Sequence, residues 1–173
     1  MHGIGPMKRA AIVYTSDTGH SRQYALLLGE RTGLTVYSLK EARAALPAGS
    51  PVIYLGCIHA SRVKGYPRAA RRYAVCAVCG VGLCDTGTLI AQVRKATAIP
   101  EDVPLFTLQG GIDRSQLRGV HKLIIAMLTK GLSDQKQRSE QDEHILELLR
   151  QGANLVSAEN LADVLAWYTA AQA

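Results

Sequence analysis

No apolar run in this 173-residue chain approaches the roughly 18 residues that a membrane-crossing helix needs, and residues 1–6 hold no hydrophobic block of a secretion signal. The expectation is a cytoplasmic protein, with 1–6 as an extension or expression remnant ahead of a natural-looking start at Met7-Lys8-Arg9 and a single domain over 7–173. Aromatic residues make up only 5% of the chain, and no docking motif accompanies its basic charge, so nucleic acid is not expected as a partner. No Gly-Lys-Ser/Thr loop and no Gly-x-Gly-x-x-Gly occurs, which removes the Walker and dinucleotide fingerprints. Cysteine is sparse. The tightest pair, Cys76-Ala-Val-Cys79, would face opposite sides of a strand unless the strand bends, so no metal site is expected. These two, with Cys57 and Cys84, read as buried or loop thiols in a reducing compartment. Acidic residues are in deficit: net charge is +6, densest at Arg62, Lys64, Arg68, Arg71 and Arg72. Such a balance suits an anionic small molecule, an acidic protein partner or peripheral contact with a membrane surface.

What is present starts with Ala10-Ala11-Ile12-Val13-Tyr14, a strand apolar on both faces, as in a parallel sheet covered on both sides. It stops in Ser16-Asp17-Thr18-Gly19-His20-Ser21 and gives way to a helix with Tyr24, Leu27 and Leu28 at helical spacing. A helix start with unpaired N–H groups, three hydroxyls and a glycine favours an anion. Without further support, a capped βα turn is an equally good reading. Asp17 is unfavourable beside a phosphate, so turn or N-cap chemistry is its expected role.

Four more strands follow, near 34–39, 51–57, 73–79 and 103–108, alternating with helices. The helix expected from about Ser115 to Lys130 is the most regular, with one stripe packing on the sheet and Gly131 ending it. The polar stretch 132–143 reads as a flexible connection or frayed helix, and Ser157 as the cap of a last helix. Five alternating strands predict a three-layer α/β sandwich with a five-stranded parallel sheet in the order 2-1-3-4-5. Its switch point lies between the loops after strands one and three.

The loop Ser16–Ser21 resembles the Thr/Ser-x-Thr-Gly-x-Thr/Ser phosphate loop of flavodoxins. Gly56-Cys57-Ile58-His59-Ala60-Ser61 with Gly65, then Gln109-Gly110-Gly111-Ile112-Asp113 leading to Leu123–Leu128, resemble the flavodoxin-domain branch that includes menaquinone-dependent protoporphyrinogen dehydrogenases. The resemblance implies a flavodoxin-like fold binding FMN. Ser16, Asp17, Thr18, Gly19, His20 and Ser21 would hold its phosphate, with Cys57, Ile58, His59, Ala60, Ser61, Arg62, Gly80, Val81 and Gly82 flanking the ring. It implies electron transfer, or oxidation of a bound substrate such as a protoporphyrinogen, with a redox protein or a quinone as partner. The chain departs from flavodoxins in its positive charge and in having no aromatic after strand four; Tyr66 is either a stacking ring or an anchor for its loop.

His20 and His59 could donate to a ligand or move a proton, while His121 and His144 read as surface or partner positions. Arg62 and Lys64 are either charge-neutralising groups or solvated loop cations. No residue is assigned a catalytic role, and the oligomeric state, a homo-oligomer included, stays open. The alternative reading is a non-catalytic module binding another anionic ligand, or a protein partner through the 115–130 helix, with Ile125 outside its main stripe.

Overall fold

The computed structural model describes residues 10–173; the expectations for 1–9 and for the side chain of His121 lie outside them. Strand β1 (Ala11–Thr15) is central, as its composition requires. Ile12 turns into one apolar core and Val13 into the other, and both are fully buried. It pairs in parallel with β2 (Val36–Ser38) on one side and β3 (Pro51–His59) on the other. Beyond β3 lie β5 (Ala74–Gly82) and β6 (Leu105–Gln109), giving the path β2-β1-β3-β5-β6. The α/β architecture with a mostly parallel central sheet is compatible with a flavodoxin-like fold.

The expected five-strand count is corrected to six. Strand β4 (Arg62–Val63) folds back antiparallel on β3, with Ile58 opposite Val63 and His59 opposite Arg62. Ala60 and Ser61 make the turn with φ of 47° and 63°. Two consecutive positive φ angles suit a tight hairpin turn, normally signalled by Asn-Gly. Ala-Ser carries no such signal.

One core is closed by α1 (His20–Thr32) and α7 (Ala162–Ala170), through Tyr24, Ala25, Leu28, Val164 and Tyr168. The opposite core is closed by α2 (Leu39–Ala45), α3 (Tyr66–Arg72) and α4 (Ile90–Thr97), through Ala42, Tyr66, Ala69 and Val93. A bulge corrects the cysteine argument. Val52 pairs with Val75 but Ile53 with Ala77, so Cys76 is an extra residue. The bend turns Cys76 toward the same core as Cys79.

The largest correction concerns the helix that was to pack on the sheet. Asp113 caps a short 3₁₀ turn, Arg114–Gln116, and only after Gly119 does α5 (Val120–Ser133) begin, running through Gly131. Its apolar stripe faces outward: Val120 is 69% and Met127 65% exposed. In the polar stretch beyond, 134–139 form a connection, and α6 (Glu140–Gln151) starts within it at a reciprocal capping box between Ser139 and Asp142. Strands β7 (Gly111–Ile112) and β8 (Ala153–Asn154) pair antiparallel and tie the two ends of this excursion together. Ser157 caps a 3₁₀ turn, Ala158–Leu161, that leads into α7.

Candidate functional site

Between β1 and α1 the chain reverses through Ser16–Gly19. Gly19 adopts φ +97, and the Ser16 hydroxyl accepts its N–H at 3.0 Å. No side chain caps α1, and the first N–H groups of a helix have no partner within it. Of the two roles expected of Asp17, turn or N-cap, it takes the turn and not the cap. Ser21, in that first turn, is buried, and its hydroxyl makes no hydrogen bond. Native structures rarely leave such a group unsatisfied. His20 is also buried, 3.1 Å from the Thr18 hydroxyl. Burial holds its pKa below the ordinary value, with the charge of Asp113 pulling the other way, which favours the neutral imidazole.

Asp17 is the joint between the first loop and the second. Lys64 Nζ donates to both carboxylate oxygens at 2.7 Å, His59 Nε2 lies 3.3 Å from Oδ2, and the Cys57 thiol donates to Oδ2 at 3.6 Å. Burial alone would raise the Asp17 pKa, but the bond and charge of Lys64, with His59 and Cys57, hold it below the usual carboxylate value. Burial, and then the charge of Asp17, push the Cys57 thiol up to about 11. Beneath them, the Tyr54 hydroxyl donates to the Lys64 carbonyl at 2.7 Å and shares a hydrogen bond with Thr15 Oγ1 at 2.8 Å. A Cβ on Gly65, whose φ is +80, would fall 2.2 Å from that hydroxyl. Glycine is required there both by φ and by space.

The donor atoms of Asp17, Cys57 and His59 lie within 4.8 Å of one another, the one such group among the described residues. Spacing does not announce it, because Asp17 in a turn and Cys57 near the end of β3 are 40 residues apart. The ammonium of Lys64 already sits on both carboxylate oxygens and the thiol is protonated, so the arrangement acts as an ion-paired joint rather than a built metal site.

A cavity of about 170 Å³ opens beside this joint. Of the residues expected to hold a phosphate or flank a ring, Ser16, Asp17, Thr18, His20, Ser21, Cys57, Ile58, His59, Ala60, Val81 and Gly82 line it. Gly19, Ser61, Arg62 and Gly80 do not. Gly19 borders a second hollow, and the Ser61 hydroxyl accepts from Gln92 at 2.6 Å. Arg62 is exposed on β4, and Gly80 lies inside β5 under Ile58, whose Cδ1 would be 2.9 Å from a Cβ there. Leu83, Gly110, Gly111 and Ile112 also line the cavity, with Leu117, Ile124, Ile125 and Leu128 forming a wall on the α5 side. The double glycine ending β6 was a usable signal: a Cβ on Gly110 would meet Val81 at 2.7 Å and His20 at 3.0 Å. The α5 residues gave none, because their stripe reads as sheet-packing. No Phe, Tyr or Trp ring among the described residues lines the cavity. Tyr66 is an anchor, buried with its ring 6.4 Å from that of Tyr54.

Across the Asp17–Lys64 pair lies a larger, open hollow of about 1300 Å³. Arg22, Lys40, Arg43, Lys64, Arg68, Arg71 and Arg72 line it, and Asp17 is its one carboxylate among the described residues. Arg72 is partly spent, donating to the carbonyls of Arg43 and Leu46.

No protein-family model matches the chain, and no curated protein matches it. Among the described residues, no helix is long and apolar enough to cross a membrane.

Proposed function

We propose that the protein is an FMN-binding redox protein of flavodoxin-like fold. In this reading β4 is an insertion and the parallel strands follow the 2-1-3-4-5 order. The observation that carries the proposal is the buried, unpartnered Ser21 hydroxyl in the first turn of an uncapped helix, flanked by Ser16 and Thr18. A phosphate there satisfies that hydroxyl and the first-turn amides together. Lys64 neutralises Asp17, so the phosphate meets an ion pair and not a bare carboxylate. His20, in the neutral form its burial favours, donates without adding charge. His59, with a side chain 41% exposed at the rim, can pass a proton between solvent and the cavity.

FMN would supply one- and two-electron chemistry, and the chain tunes it through its surroundings. Those are aliphatic: Ile58, Val81, Leu83 and the α5 wall. At about 170 Å³ the cavity is below the roughly 300–1,000 Å³ of small-molecule sites, so seating the ring requires α5 to stand further out. The electrons go to a redox protein or a quinone, or come from a bound anionic substrate of protoporphyrinogen type, as the resemblance implies.

Reconstitution decides the matter. The purified protein is expected to take up FMN, turn yellow and prefer FMN to riboflavin. Ser21→Ala should weaken FMN by about ten-fold or more and leave riboflavin unchanged, since hydrogen bonds to charged groups contribute about 1.5–3 kcal/mol. Absence of FMN uptake overturns the proposal. A second reading, a module for another anionic ligand or an acidic partner, draws on the cationic hollow; a protein that ignores FMN but binds tripolyphosphate through Arg43 and Arg68 would favour it.

A further inference from the structure

We propose that α5 is a docking helix that seats its apolar stripe in the interface of an anionic lipid surface. Val120, Leu123, Ile124, Met127 and Leu128 stand at i, i+3, i+4, i+7 and i+8, the pattern of a helix with one apolar face. All five are exposed. A scattered exposed leucine needs no explanation, but a contiguous stripe on a helix marks an interaction surface.

Charge selects the occupant. From 114 to 133 the charged residues are Arg114, Arg118, Lys122 and Lys130, with no carboxylate among them. Arg114, itself exposed like the other three, is committed to the chain, its guanidinium donating to the carbonyls of Leu149 and Arg150 at the end of α6. Lys130 flanks the stripe, Arg118 precedes it and Lys122 stands on the far face. A helix that carries cations and no carboxylate of its own thus presents its apolar stripe, which complements anionic headgroups over an acyl layer. A second copy fits worse, because a two-fold contact would set the same cations near one another with no carboxylate on the helix to answer them. At 14 residues, about 21 Å long, α5 is too short to cross a bilayer and suits lying in its plane. The excursion is pinned at its root by the β7–β8 pair and by Arg114, which holds the stripe away from the sheet.

Ile124 and Leu128 belong both to the exposed stripe and to the cavity wall. Docking would therefore place one wall of the cavity at the lipid surface. None of this depends on which ligand the cavity takes.

Vesicle co-sedimentation of the full chain, with no FMN added, tests the proposal. Binding is expected to phosphatidylcholine vesicles containing phosphatidylglycerol, and at least ten-fold more weakly to phosphatidylcholine alone. Leu123→Asp with Met127→Asp should abolish it. Lys122→Gln with Lys130→Gln should weaken it about thirty-fold, at about 1 kcal/mol per cation. All four positions are exposed, so thermal unfolding should be unchanged and serves as the folding control. The proposal is overturned by absence of binding to the anionic vesicles, by binding that the aspartates leave intact, or by a solution dimer that they dissolve. FMN uptake is measured separately, so the two proposals fail independently.

Discussion

Helices α1 and α5 wall the same cavity, yet they meet opposite fates. In α1, Tyr24, Ala25 and Leu28 are fully buried against the sheet although the helix is rich in polar residues. In α5 the more regular and more apolar stripe is turned to solvent. Amphipathicity states that a face wants cover; it does not say which surface supplies it. For α1 the answer comes from connectivity, since a helix between two adjacent parallel strands must cross over the sheet. For α5 that constraint is absent, because β6 is the last strand of the sheet and the chain leaves it through the β7–β8 clasp.

The sharpest way to break this contrast is to truncate a leucine on each helix. Leu28→Ala removes a fully buried side chain and should cost about 2–5 kcal/mol in chemical denaturation. Leu123→Ala, at 61% exposure, should stay within about 0.5 kcal/mol. Comparable losses at both positions would mean that α5 packs on the chain itself, and the docking proposal would fall with the contrast.

The same contrast explains how much of the protein was legible. Ala11–Thr15 could be read as central because Ile12 and Val13 need apolar cover on opposite faces, and each has its own core. Most of the cavity lining was legible for a related reason: the carboxyl ends of parallel strands and the turns beyond them converge, so Ser16–Ser21, Cys57–Ala60 and Val81–Gly82 meet. What was not legible rests on conformations that residue types do not announce. Ala60 and Ser61 turn a hairpin with positive φ, and an extra Cys76 bends β5. The Asp17 joint was missed because a carboxylate beside a phosphate loop reads as a cost until Lys64 arrives from 47 residues away. The capping box at Ser139 and Asp142 was visible in the sequence, but the polar stretch around it outweighed it.

A smaller effect separates the start of α1 from α5 by pH. His20, the first residue of α1, has its folded pKa lowered by burial, so the unfolded chain takes up the proton first as pH falls. Stability tied to His20 is therefore present above its unfolded value near 6.5, falls as pH drops below it, and stops falling beneath the folded pKa. Asp17, lowered as well, loses its contribution only in more acid solution, below its ordinary value near 3.8. Urea midpoints at pH 7.5 and 5.5 should differ for the parent protein, and His20→Gln should flatten that difference. An unchanged slope would show that His20 is hydrated in the native state and that the first turn of α1 is as open as α5.

The finest reading of the cavity comes from Cys57, where the α1 loop and the α5 wall face each other across about 170 Å³. Its thiol is pushed up to about 11 by burial and by the charge of Asp17, while Lys64 pulls it down. Asp17→Asn removes the raising charge, so the thiolate fraction at pH 8 rises and alkylation by iodoacetamide quickens several-fold. Lys64→Met removes the lowering charge and should slow it. Opposite signs matter here, because loosening of the loop by either substitution would raise exposure and quicken both. Alkylation that speeds up in both variants would mean that the Asp17 joint holds the wall in place and does not set the thiol's charge state. With the expected split, the α1 side of the cavity is held electrostatically at Asp17. Its α5 side is aliphatic, lined by Ile124, Ile125 and Leu128, and is the wall able to yield to a ligand.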